Sequence, residues 1–237
     1  MSRRRVKTTK LEIIRCATNL FLEKGYTATT STHVSDTLHI SNGNLTYYFP
    51  TKEHLLAVLV DMFCNYQWKL MELEADDGIS SVLAVCLELA IMTACCETDP
   101  VARDFYISAY CSSMCLDLIR KNDAARAKQV FRKYCPDWTE EKFAETEALV
   151  SGIEYATLVG VGDPVPVEDR LRRAIDTILY LYNVPEDIRA AKIRRVFELN
   201  YKGVSKTVME GFRQFVSETN EQAMEALYKA KGLTYHK

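Results

Sequence analysis

Apolar residues recur along the chain at intervals of three and four, the period of an α-helix, and no convincing stretch alternates in the period of two that marks a strand. Leu11, Ile14, Ala17, Phe21 and Leu22 form the first stripe, which Gly25 ends. Leu55, Leu59, Met62, Tyr66 and Leu70 carry the same period through a long helix over 52–74, broken by Asp76-Asp77-Gly78. A very apolar helix follows over 79–97 and stops at Asp99-Pro100, where Pro100 suits the first turn of the next. Residues 101–134 read as one or two helices, with a plausible break at Cys111-Ser112-Ser113. Cys135 to Trp138 form a loop, Thr139 caps a helix to about Val161, and 162–166 is the clearest linker. Val167, Leu171, Ile175, Ile178 and Tyr182 stripe the next helix, which Pro185 interrupts. Two more helices, near 186–200 and 204–231, complete the chain, with Gly232 past the end and Lys229 and Lys231 suited to its negative pole. The expectation is an all-α protein of about ten helices: an N-terminal three-helix head over 1–52, then a larger helical body over 53–237 entered by the helix from Lys52.

Residues 26–56 place two short helical segments close together. Thr30 or Ser31 caps the first, which runs to about Leu38, and Ser41 caps the second, from Asn42 to Phe49. Val34, Leu38, Ile40 and Leu45 supply a small core between them. This is helix-turn-helix spacing, with the second helix presented to a DNA major groove. Asn42 and Asn44 bring amides that bond base edges, and Gly43 allows close approach. Thr30, Ser31, Thr32, Tyr47 and Tyr48 bring hydroxyls of the kind that hold phosphates, and Lys52 adds a cation where a helix begins. A plain helical hairpin with core aromatics and a solvated polar face fits the same spacing.

Residues 11–63 resemble the N-terminal domain of the TetR family. The family pattern is an apolar helix ending F-x-x-x-G-[YF]-x-x-[TS]-[TS], two short helices, and S-x-G-x-L-Y-x-[HY]-F-x-x-K-x-x-L. Phe21 to Thr30 read FLEKGYTATT, and Ser41 to Leu56 read SNGNLTYYFPTKEHLL. The resemblance implies that Thr30, Ser31 and Thr32 anchor to phosphate and that Asn42, Gly43 and Asn44, following the Ser41 cap, face bases. It implies that Tyr47, Tyr48 and Lys52 clamp the backbone while Arg3 to Arg5 and Lys7 form a basic arm within 1–10. Two positions depart from the pattern. Thr46 replaces the first Tyr of the aromatic pair, which weakens one common backbone contact. His39 replaces Gly between the two helices, where a left-handed backbone is often needed and His tolerates it better than most residues.

For the body, the resemblance implies a helical box that holds a small effector, and late helices that pair with a second copy. Gly152, Ala156 and Gly160, four apart, form a stripe that lets another helix approach, and Leu171, Ile175 and Ile178 lie on the next wide apolar stripe. A stripe that packs only within the chain is the alternative. The helices over 52–74, 79–97 and 101–134 are expected to line the box, with Tyr66, Met92, Cys96, Phe105, Tyr106, Tyr110 and Met114 as candidate pocket residues for a flat or apolar ligand. Buried sulfur and aromatics serve equally as core packing.

Charge sharpens the division. Residues 1–52 carry eight Lys/Arg against three acids, and the remainder 22 against 29, so a basic head sits on an acidic body. Eight cysteines occur without a secretory leader, which suits a cytoplasmic protein with reduced thiols. No C-x-x-C pair exists. Cys111 and Cys115, spaced i and i+4, share a helix face and are the pair worth testing with metal or oxidant. No run is long and apolar enough to span a membrane. The chain lacks nucleophile–base spacing, H-E-x-x-H, a phosphate loop and a dinucleotide fingerprint, so no catalytic residue, metal or cofactor is expected. The expected partners are a double-stranded operator with two-fold half-sites, a small effector and a second copy of the chain. The expected role is a repressor released by the effector. The alternative is a helical ligand- or protein-binding module whose DNA binding has weakened.

Overall fold

The computed structural model describes residues 9–74 and 81–230. The basic arm (Arg3 to Arg5, Lys7), the break at Asp76 to Gly78, the expected helix start at Ile79, and Lys231 and Gly232 lie outside the described residues. Among those described there are thirteen helices and no strand. The head comprises α1 (Lys10–Lys24), α2 (Ser31–Thr37) and α3 (Asn42–Tyr48), and the long α4 (Lys52–Glu74) leads into the body. Then come α5 (Ser81–Thr98), α6 (Pro100–Cys111), α7 (Ser113–Phe131), α8 (Glu140–Val159), α9 (Val167–Leu181), α10 (Glu186–Glu198), α11 (Tyr201–Ser205), α12 (Val208–Glu218) and α13 (Glu221–Ala230).

Local chemistry fixes most boundaries. Thr9 and Glu12 form a reciprocal capping box on α1. Thr30 caps α2, with the His33 ring closing the box in place of a carboxylate. Ser41, Asp99, Ser112 and Thr139 cap α3, α6, α7 and α8. Gly25 ends α1 at φ +88°, a backbone that L-residues rarely adopt. His39 sits between α2 and α3 at φ +54°, the left-handed conformation that the family's glycine would take there.

α5 lies at the centre, packed on by α4, α6, α8, α9, α10 and α11, which explains why it is apolar all round. The expected single helix over 204–231 is divided among α11, α12 and α13. Thr207 closes a turn by donating to the Val204 carbonyl at 3.1 Å. At Thr219, Arg15 of α1 draws the carbonyl out of the helix at 2.7 Å, and Asn220 then caps α13 by accepting from Ala223 N–H at 2.9 Å. Cys111 and Cys115 do not share a helix: Ser112 separates α6 from α7, leaving Cys111 exposed and Cys115 buried, its thiol pushed up to about 11 by burial.

Candidate nucleic-acid interface and effector chamber

The head is built around Val34, Leu45 and Phe49, all buried with the apolar face of α1, while Leu38 and Ile40 pack partly buried against them. With that face turned in, α3 presents its other side outward. Ser41, Asn42, Gly43, Asn44, Thr46 and Tyr47 are all exposed, Tyr47 at 80%. Such exposure of an aromatic ring beside Tyr48, edge to face at 5.1 Å, leaves both hydroxyl-bearing rings at the rim of the same surface. Gly43 keeps this surface flat, since a methyl there would meet nothing nearer than the Ser41 hydroxyl at 3.9 Å. Thr30 and Thr32 are exposed and Ser31 half-buried at the start of α2.

Three of the expected contacts are modified by bonds inside the head. Asn42 accepts from Ser35 through Oδ1 at 2.7 Å, which ties α3 to α2 and leaves its amide N–H groups to face outward. The Thr46 hydroxyl folds back to the carbonyls of Asn42 and Gly43. Lys52 differs most from expectation. Its ammonium turns inward, donating to the carbonyls of Tyr26 at 2.9 Å and Thr29 at 2.8 Å and lying 4.0 Å over the Tyr26 ring. Burial lowers its pKa, opposed by the Asp104 carboxylate. In this structure Lys52 therefore holds the turn before α2 instead of pointing toward a phosphate.

The head and the root of α4 are bolted to the rest of the body at three places. Asp104 of α6 accepts from Thr27 N–H at 2.8 Å and from the Thr27 hydroxyl, and Gly25 packs so closely that a methyl there would sit 2.8 Å from the Asp104 carboxylate. At the other end of α6, Ser112 donates to Glu53 at the start of α4. Arg213 of α12 donates to the Leu22 carbonyl at 3.3 Å, near the Arg15–Thr219 bond.

Between α4, α5, α6, α7, α8 and α9 lies a chamber with about 750 Å³ of empty space including its mouth. Of the sequence-selected residues, Met92, Phe105, Tyr106 and Tyr110 line it, whereas Tyr66, Cys96 and Met114 do not. Tyr66 turns instead to α12, where its ring lies 5.8 Å from Phe212 and its hydroxyl fills the space over Gly211. Cys96 is buried in the core and Met114 packs at its edge.

Composition alone did not disclose the polar part of the wall. Glu88, Asp123, Glu147 and Glu154 all face the chamber, with Arg126 among them. Arg126 sits 3.6 Å from Glu88 and 3.4 Å from Asp123, donates to the Cys64 carbonyl, and lies 5.0 Å over Trp68. Tyr110 donates to Glu154 at 2.8 Å and Tyr182 donates to Glu147. Burial raises all four carboxyls above their ordinary range, with Arg126 opposing the rise at Glu88, at Asp123 and, as the least of the influences there, at Glu147. A signal existed: Glu88 is the single charge in the apolar run 82–96, and Glu147 and Glu154 share a helix face seven residues apart.

The α8 stripe divides. Gly152 and Ala156 are exposed, and a methyl built on Gly152 would meet nothing within 4 Å. Leu149, Tyr155 and Val159 extend this open face, with Tyr180 exposed on α9. Gly160 instead packs under the Arg170 guanidinium, 3.0 Å from where its methyl would be. Leu171, Ile175 and Ile178 are buried within the chain, so they do not form the expected dimer surface; their wide stripe is spent on the chain's own core, and Ile178 also lines the chamber.

Comparison with known proteins places the head. Residues 13–59 match the family model described as bacterial regulatory proteins, tetR family. No curated protein matches the chain in sequence. Among solved structures, SmeT, the repressor of the Stenotrophomonas maltophilia multidrug efflux pump SmeDEF, is similar in fold at a TM-score of 0.51 and 17% identity, covering 76% of this chain and 98% of SmeT. AmtR of Mycobacterium smegmatis aligns over 84% of this chain and 99% of its own at 16% identity, with a TM-score of 0.39. Among the described residues, no helix is long and apolar enough to cross a membrane.

Proposed function

We propose that the chain, whose residues 13–59 match the tetR family model, is a DNA-binding regulator of that family and acts as a homodimeric repressor released from its operator by a small molecule held in the body. The observation that carries this reading is the outward face of α3, where Asn42, Gly43 and Asn44 stand exposed on a rigid, internally capped helix-turn-helix. The head over 1–52 reads DNA: the Asn42 and Asn44 amides reach base edges while Thr30, Ser31, Thr32, Tyr47 and Tyr48 hold phosphates.

The body over 53–237 supplies the second copy and the effector. The open face of Leu149, Gly152, Tyr155, Ala156 and Val159 on α8 is the surface offered to the partner, because apolar groups so exposed are costly unless covered. Pairing there presents two heads to half-sites about one helical turn apart or a multiple of it. α6 carries chamber wall, at Phe105, Tyr106 and Tyr110, a bolt to the head at Asp104, and a bolt to the root of α4 at Ser112. An occupant that shifts α6 thereby moves the head, which is the differential contact that release requires.

The test is a gel-shift titration with DNA flanking the chain's own gene, over a range of salt. Sequence-selective binding that weakens steeply with salt is expected, and Asn44→Ala is expected to cost about 1–3 kcal/mol on the selected sequence with little change on unrelated DNA. Equal affinity for all sequences, or an unaltered Asn44→Ala, would contradict it.

A further inference from the structure

The chamber wall carries more negative than positive chemistry, and the excess is not spread evenly. Arg126 is engaged by Glu88 and Asp123 from one side. One guanidinium thus faces four carboxyls: Arg126 also acts on Glu147, but more weakly than Asp123 opposes it, and the hydrogen bonds at Glu147 and Glu154 come from the hydroxyls of Tyr182 and Tyr110. Hydroxyls satisfy lone pairs but leave the charge of an ionised carboxylate uncompensated in a dry site. Burial accordingly favours the protonated form of both groups, and a cation beside them would favour the ionised form.

A second feature offers a polar group to an occupant. Gln67 is 2% exposed, lines the same chamber, and its amide nitrogen has no hydrogen-bond partner. A buried amide left unbonded costs free energy that a ligand group would recover.

A metal ion does not fit this arrangement. Among the described residues, no three His, Cys, Asp or Glu side chains converge as ligands. Glu147 and Glu154 are seven residues apart on α8, two helical turns or about 10 Å along the axis between their backbones. The spacing suits an occupant with its charge delocalised over a ring system. The remaining walls agree, because Trp68, Phe63, Phe131 and Tyr182 offer π faces and edges, and ring faces attract cations.

We propose that the chamber takes a flat aromatic organic cation, its positive charge balanced by Glu147 and Glu154, its rings packed against the aromatic wall, and a polar substituent bonded to Gln67. This rests on the reading of the chamber as the effector site and names the chemical class of the effector.

The test compares two probes of one shape, 10-methylacridinium, which is a cation, and 9-methylanthracene, its uncharged carbon counterpart. Each is held at low concentration and titrated with full-length protein, without DNA, while its fluorescence is read. Wild-type protein is expected to bind the cation at least about tenfold more tightly, the factor that corresponds to 1.36 kcal/mol. In the double variant Glu147→Gln, Glu154→Gln that preference is expected to vanish, with thermal unfolding as the check on folding. Should the variant not fold, the wild-type comparison decides alone. Equal or tighter binding of the uncharged probe, or no binding of either, overturns the assignment. Because no DNA is present, failure of the repressor reading leaves this measurement standing, and a neutral probe that binds overturns the charge while sparing the chamber.

Discussion

Lys52 separates two accounts of the head that make opposite predictions. If its ammonium serves a phosphate, Lys52→Met leaves the fold intact and weakens DNA binding. If it serves the turn, the same change destabilises the chain. The structure gives it two carbonyl acceptors, at 2.9 and 2.8 Å, and an aromatic ring at 4.0 Å. Thr29 is fully buried, so its carbonyl has little recourse to water once the ammonium is gone. A hydrogen bond to a charged group contributes about 1.5–3 kcal/mol. Lys52 is partly exposed, so the Tyr26 carbonyl rehydrates and the joint loss is nearer one such bond than two, about 2–3 kcal/mol. For a chain of this size each kcal/mol moves the melting temperature by about 2–4 °C, so a fall of about 5–10 °C is expected in a circular-dichroism melt. Gel shifts at several salt concentrations supply the second readout, since a lost phosphate contact lowers the salt slope by about one. An unchanged melting temperature together with a slope reduced by one would refute the structural role argued here.

Gly25→Ala places a methyl against Asp104 at a φ of +88°, and a loss of at least about 1–2 kcal/mol is expected from the backbone alone; an unshifted urea midpoint would contradict this. Leu149→Asp, on a residue 61% exposed, is expected to convert a dimer to monomer without lowering helix content, so light scattering that reports the same mass for variant and wild type counts against the α8 face. Glu147 is pushed up to about 8, first by burial and then by Asp123. The folded chain thus keeps a proton that the unfolded chain releases near pH 4.3, and stability contributed at low pH is lost as pH rises toward 8. Melting temperatures of Glu147→Gln are expected to fall less over that window than those of the wild type; parallel curves would exclude the effect.

The head was readable in the sequence because its signals are local. Caps at Thr30 and Ser41, the stop at Gly25, and the left-handed position at His39 depend on residues a few places away. The inward turn of Lys52 depends on carbonyls 23 and 26 residues upstream, and no period or cap reports such a contact. The same limit applies to the body. Tyr66 left the expected pocket because α12 packs on it, more than a hundred residues later. Leu171, Ile175 and Ile178 make a wide stripe whether that stripe meets a partner or the chain's own core, and the structure assigns it to the core. The break between α12 and α13 likewise coincides with Arg15, which bonds the Thr219 carbonyl from across the chain.

The distribution of the eight thiols has a practical side. All but Cys111 are buried, and burial holds the pKa of Cys16, Cys64, Cys86, Cys95, Cys96, Cys115 and Cys135 above that of an ordinary thiol, so these seven stay in the unreactive protonated form. To a maleimide the natural chain therefore behaves as a single-site substrate, with no engineering. The site is well placed for spectroscopy. Cys111 ends α6 one residue before the Ser112 bolt, and its sulfur faces the Tyr155 hydroxyl of α8 at 3.6 Å. A fluorophore there would report on the chamber and the head together, and a spin label on each of two paired copies would yield an inter-subunit distance.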